Sequence, residues 1–214
     1  MSTVDYTEFL PEVMQYVPDV FEGQAINAIR QSCIEFCTRT RFLQMDADPI
    51  PLIPAVANYE INANSGLKFV DILAAWVDTK MLVPKSVEDL TRIYRWTDWR
   101  QLTGSPLYVT QIIPSEIIVV PQPVVSGNYL RVRAAYAPTR ASTYVDNSLY
   151  EEYLDAIAWG ARSRLYGTPK QPFSDPRAEL EYAMKFRVAV NEARVRVNRG
   201  LTRSTEQIEF QRMM

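Results

Sequence analysis

Between Ser148 and Gly200 the order of apolar residues, prolines and caps leaves the chain few ways to fold. Tyr150, Tyr153, Leu154, Ile157, Ala158, Ala161 and Leu165 recur at three- and four-residue steps, the stripe of a helix with one buried face. Ser148 with Glu151 has capping-box spacing, and Gly167 fits a left-handed cap at the far end. Pro169 and the run Pro172-Phe173-Ser174-Asp175-Pro176 forbid continuation, because proline removes a backbone donor and clashes with the preceding turn. Asp175-Pro176 then reads as an N-cap followed by proline at the first helical position. A second helix runs to Arg199 with Gly200 closing it, about 36 Å at ~1.5 Å per residue. The product is a helical hairpin with a stiff elbow, a unit that builds interfaces more readily than active sites.

Upstream, the punctuation divides the chain into further parts. A short helix over Thr7 to Tyr16, started or interrupted at Pro11, precedes Pro18. Asp19 with Glu22 has capping-box spacing, and beyond it Ala25, Ile26, Ile29, Cys33, Phe36 and Cys37 form one apolar face. Pro49, Pro51 and Pro54 then exclude helix. Residues 56 to 138 read as strands: Val56 to Ile61, Phe69 to Val77, Met81 to Val83, Leu107 to Ile113, Glu116 to Val120 and Tyr129 to Tyr136. Ser86 caps a short helix among them, and Asn64-Ser65-Gly66 and Ser126-Gly127-Asn128 supply turns. Leu130, Val132, Ala134 and Tyr136 alternate with Arg131 and Arg133, which predicts an antiparallel sheet wet on one face. The expected class is α+β: N-terminal helices, a small central antiparallel β-region and a C-terminal helical hairpin with an extended tail. The expected parts are residues 1–45, helices packing on the hairpin; 46–140, β-rich; 141–200, the hairpin; and 201–214, an arm on a single globular unit.

Catalysis is hard to assemble from these residues. The chain has no histidine, so Ser-His-Asp and Cys-His arrangements, His-ligated metals and His general bases are all impossible. Cys33 and Cys37 lie four apart on one helix face, which suits neither a disulfide nor, without further ligands, zinc. They read as reduced core residues. Asp46 and Asp48 lack the glycine and downstream glutamate of a calcium loop, and no glycine-rich phosphate loop is present. A lysine, a carboxylate pair or a carboxylate-held metal is what these absences leave; the expectation is no enzyme, no cofactor and no metal. No apolar run is long enough to span a bilayer, and the first residues lack the pattern of a signal peptide, so cytoplasmic synthesis is expected. With a formal net charge of -2, no global field favours nucleic acid.

Three local features carry competing readings. From Arg177 to Arg203 seven Lys or Arg stand against three acids, a local net of +4. This is either a solvated face with cations at its C-terminal end or a surface for DNA or an acidic partner. Tyr94, Trp96 and Trp99 among Arg92, Arg95 and Arg100 suit an interface and a packed sheet rim equally, with base stacking behind both. The last fourteen residues are either a frayed end or an arm that orders on a partner.

Glu116 to Pro123, Leu130 to Pro138, Gly160-Ala161 to Leu165 with Pro169, and Pro172 to Pro176 together resemble the head-to-tail adaptor (connector, or head-completion) proteins of tailed bacteriophages. The helix around Ile29 to Phe42 resembles them too, and the architecture is similar to tail tubular protein A of short-tailed phages. The resemblance implies a structural virion protein of the neck, present in the host cytoplasm during assembly. It implies a homo-oligomeric ring, a dodecamer, that binds the portal protein, extends the channel for passing double-stranded DNA and receives a tail or nozzle protein, with no membrane partner. On this chain it places ring contacts at Tyr150, Tyr153, Arg162, Arg164, Tyr166 and Phe173, and a portal-docking arm at Leu201, Ile208, Phe210, Met213 and Met214. Arg187, Arg194, Arg196 and Arg199 would face the channel or an acidic partner, and Tyr94, Trp96 and Trp99 the tail. The alternatives are a tail-completion or tube-end protein and, from another class, a nucleic-acid-binding accessory protein.

Overall fold

The computed structural model describes residues 2–200. In chain order, β1 (Thr3–Asp5) leads through a 3-10 turn (Tyr6–Phe9) into α1 (Leu10–Met14) and α2 (Glu22–Thr40). Then come β2 (Leu43–Asp46), β3 (Ile50–Pro51), β4 (Asn58–Glu60), β5 (Leu67–Val77), β6 (Lys80–Pro84) and α3 (Val87–Ile93). They are followed by β7 (Thr103–Gly104), β8 (Tyr108–Gln111), β9 (Glu116–Val120), β10 (Gln122–Pro123), β11 (Tyr129–Pro138) and β12 (Tyr144–Asp146). The chain closes with α4 (Asn147–Tyr166) and α5 (Pro176–Arg199), so the α+β class holds, with a helix pair after a largely antiparallel sheet. Two compact units result: Met1–Phe42 with Thr143–Met214, and Leu43–Ser142.

In the first unit, α2, α4 and α5 pack on one another, and β1 pairs antiparallel with β12. The core is Tyr6, Phe9, Ile29, Cys33, Phe36, Leu149, Ile157, Phe186 and Val190, all buried. The α2 stripe is as expected but wider, because Ala28, Ser32, Ile34 and Thr40 are buried as well. Ser32 and Thr40 satisfy their hydroxyls by donating to the carbonyls of Ala28 and Phe36 one turn back, so they enter the core without an orphaned polar group.

Three helix ends differ from expectation. α2 starts later than the Asp19 cap predicts: its N-cap is the extended Phe21, which offers no side-chain acceptor. α4 is capped by Asp146, not Ser148; Asp146 ends β12 in extended geometry, and its carboxylate accepts from the Ser148 N–H at 2.9 Å. Gly167 is right-handed, with φ −77°, so handedness is not its purpose. A Cβ there would meet the Glu179 carboxyl at 2.8 Å, the movable end of a flexible side chain, so a larger residue needs only that carboxylate to swing aside. The second helix is as predicted: Asp175 accepts from the Arg177 and Ala178 N–H groups, and Gly200 closes the end with φ 64°. Within α4, Tyr153 has φ −132° and ψ 21°, a kink between two helical stretches that the periodicity does not show.

The second unit is a curled sheet in the order β2-β11-β5-β6-β8-β9-β4, with β3 also on β11. β11 alternates as predicted through Leu130, Arg131, Val132 and Arg133, then buries every residue from Ala134 to Ala137. Register shifts against β5 fall at that change. The sheet is not wholly antiparallel. β6 and β8 run parallel because α3 forms the crossover between them, and the short β7–β10 pair is parallel too. Ser86 caps α3 as expected, accepting from the Asp89 N–H at 3.1 Å.

Candidate functional site

No described helix is long and apolar enough to cross a membrane, and the described residues contain no cluster of metal-ligating side chains.

The six residues assigned to ring contacts all lie in the helical unit, and most are engaged in its own packing. Tyr150 meets Phe9 edge-on at 5.2 Å, and Tyr153 packs on Phe36 at 4.7 Å and Phe42 at 5.0 Å. Burial pushes the Tyr153 phenol up, with nearby Arg196 partly offsetting it, so it stays neutral at physiological pH. Arg164 pairs with Glu35 across α4 and α2. Phe173 lines a cleft with Gln24, Asn27 and Arg164.

Arg162 is 4 % exposed. Its guanidinium donates to the Glu12 carbonyl, lies 3.5 Å from the Glu12 carboxylate and sits 3.7 Å above the centre of the Tyr16 ring. It also lies over the Tyr182 ring at 5.4 Å, and Tyr182 is stacked in turn on Tyr166 with an interplanar angle of 7°. The Tyr166 hydroxyl donates to the Tyr16 carbonyl at 2.7 Å. Arg162 thus ties the end of α1 to α4 and α5 through a planar cation against aromatic faces, an environment a lysine cannot reproduce.

What faces outward is a second stripe on α5 that the charge count along this helix conceals. Leu180, Met184, Val188 and Val195 are 66 %, 65 %, 55 % and 48 % exposed. Their spacing puts them on one side of the helix, while Phe186, Val190 and Ala193 bury the other. The i, i+4, i+8 repeat of Leu180, Met184 and Val188 was the available signal. Arg187 and Arg194 border this stripe, exposed and without an ion pair among the described residues, whereas Arg196 pairs with Glu152 at 3.1 Å. Arg199 is exposed in the last turn of α5.

The aromatic cluster of the sheet unit divides. Trp99 is core, packed with Leu90, Ile118 and Val120, with Arg100 above its ring at 5.1 Å. Tyr94 is half-buried against Tyr108, and Trp96 alone of the three is open, at 92 % exposure. Leu201, Ile208, Phe210, Met213 and Met214 lie outside the described residues.

Cys33 and Cys37 are free, fully buried thiols. Burial pushes both well up, away from the reactive thiolate. In native protein, Ellman's reagent should label neither within minutes and both on denaturation; rapid native labelling would contradict this placement.

No curated protein matches the chain. A family model described as SU10 adaptor protein matches residues 4–207. The chain therefore belongs to the SU10 adaptor protein family: it is a phage head–tail adaptor, a structural component of the virion and not an enzyme.

Proposed function

We propose that this adaptor works as a ring-forming joint at the virion neck. Copies of it assemble beneath the portal, extend the DNA channel and carry the tail or nozzle. The observation that supports this most is the exposed stripe Leu180, Met184, Val188 and Val195. A helix whose inner face is already core has no use within the subunit for a second apolar face, and water disfavours leaving it bare. A dodecamer is the stoichiometry taken from the family resemblance. Residues 201–214 serve as the portal hook in this reading, and Trp96 as a contact on the tail side.

The test is to mix the purified chain with the portal protein of the same phage and image the product by negative-stain electron microscopy. Rings stacked on portals are the expected result; portals without added rings would refute the reading. In the double variant Met184→Asp with Val188→Asp, ring yield should fall about tenfold or more, since loss of central apolar anchors dominates interface energy. Far-UV circular dichroism should stay unchanged, because both side chains lie outside the core.

A further inference from the structure

The hairpin has another face that the packing of the subunit leaves open. Where α4 kinks at Tyr153, an open groove of about 560 Å³ runs between α4 and α5. Half-buried Trp159 lines it, among Glu151, Asp155 and Glu192. Those three carboxylates are exposed and make no ion pair with another described residue, while Glu152 at the same rim is paired with Arg196. With four acids and one guanidinium around it, the groove is acidic and has an aromatic floor.

The stripe on α5 has the opposite character. Its apolar residues are bordered by Arg187 and Arg194, whose charges are unmatched among the described residues. At ~100° per residue, the centre of the stripe and the groove-side residues Glu192 and Arg196 lie roughly a quarter turn apart around α5. The two faces of one hairpin point in different directions, so neither can cover the other. Two unlike, complementary faces on one subunit are what a head-to-tail contact between copies requires.

We propose that the Leu180–Val195 face of α5 in one copy docks into the Trp159 groove of a second copy of this chain, with Arg187 and Arg194 opposite Glu151, Asp155 and Glu192. Met184 is the natural anchor: its flexible thioether makes favourable contacts with an aromatic ring and adapts to an irregular groove. DNA is a poorer occupant of the groove, since the carboxylates repel phosphate. The charge pairs select the partner face and its register; the apolar contact supplies most of the affinity. This pairing rests on the ring reading above.

The test uses the full chain coexpressed with its portal protein, with rings counted by electron microscopy. Arg187→Glu with Arg194→Glu, and separately Glu151→Lys with Asp155→Lys, should each lower ring yield about tenfold through like-charge contacts. The four changes combined should restore most of it, which a general loss of fold would not allow. In a second arm, Met184→Cys with Asp155→Cys should give a ladder of covalent oligomers with a short bis-maleimide, and either cysteine alone should give none. Rings that tolerate both reversals, or that form without the ladder, overturn the pairing and leave the ring reading intact. If the unaltered chain forms no ring, the ring reading itself fails.

Discussion

Arg162→Ala should destabilise the helical unit by about 3 kcal/mol, because it removes charge-assisted hydrogen bonds to a carbonyl and leaves a gap where a buried side chain packed. Truncation leaves the Glu12 carbonyl without its strongest donors and opens a gap beside the Tyr16 and Tyr182 rings. It also leaves the Glu12 carboxylate without its nearest cation. Arg162→Lys should recover little of the loss, because an ammonium can neither fork onto one carbonyl nor lie flat against two rings. Urea unfolding followed by far-UV circular dichroism measures this. A loss below about 1 kcal/mol in the alanine variant would put the residue among ordinary surface ion pairs and show that it does not latch the helices.

Gly160→Leu should have an effect of similar size, by the opposite physical route. A Cβ at Gly160 would lie 2.9 Å from the Ser32 hydroxyl and 3.0 Å from two carbons of the Phe186 ring. The α4 backbone is therefore packed directly against side chains of α2 and α5 at this point. Alanine gains roughly 1 kcal/mol of helix propensity and loses somewhat more to the clash, so the net cost should be small. Leucine has no such compromise: it must push Phe186 out of the core or separate the helices, at about 3 kcal/mol. Thermal unfolding of both variants separates the cases. A leucine variant as stable as the parent would mean that the helices part freely there.

Both positions were visible in the sequence, but neither of their roles was. Gly160 and Arg162 belong to the segment that carries the family resemblance, yet a glycine in a helix reads as a weak point and an arginine as a surface charge. Only a partner helix turns the first into a contact and the second into a buried latch. The tyrosines tell the same story. The resemblance places Tyr153 and Tyr166 at contacts between copies; within the subunit their rings meet Phe36, Phe42 and Tyr182. In the sequence the Leu180, Met184 and Val188 stripe is masked by the basic residues interleaved with it.

Local chemistry determined the order of elements, the Asp175–Pro176 start and Gly200 end of α5, the Ser86 cap, and the alternation along the first half of β11. Each depends on a few adjacent residues whose backbone groups must be satisfied whatever the rest of the chain does. Tertiary structure decided that Asp146 and not Ser148 caps α4, that β6 and β8 run parallel, that Trp99 is core while Trp96 is open, and which faces of the hairpin stay uncovered. A periodic pattern shows that a helix has an apolar side. Which segments fold over it depends on contacts between residues far apart in the chain, and for this adaptor those contacts leave one apolar face of α5 in water.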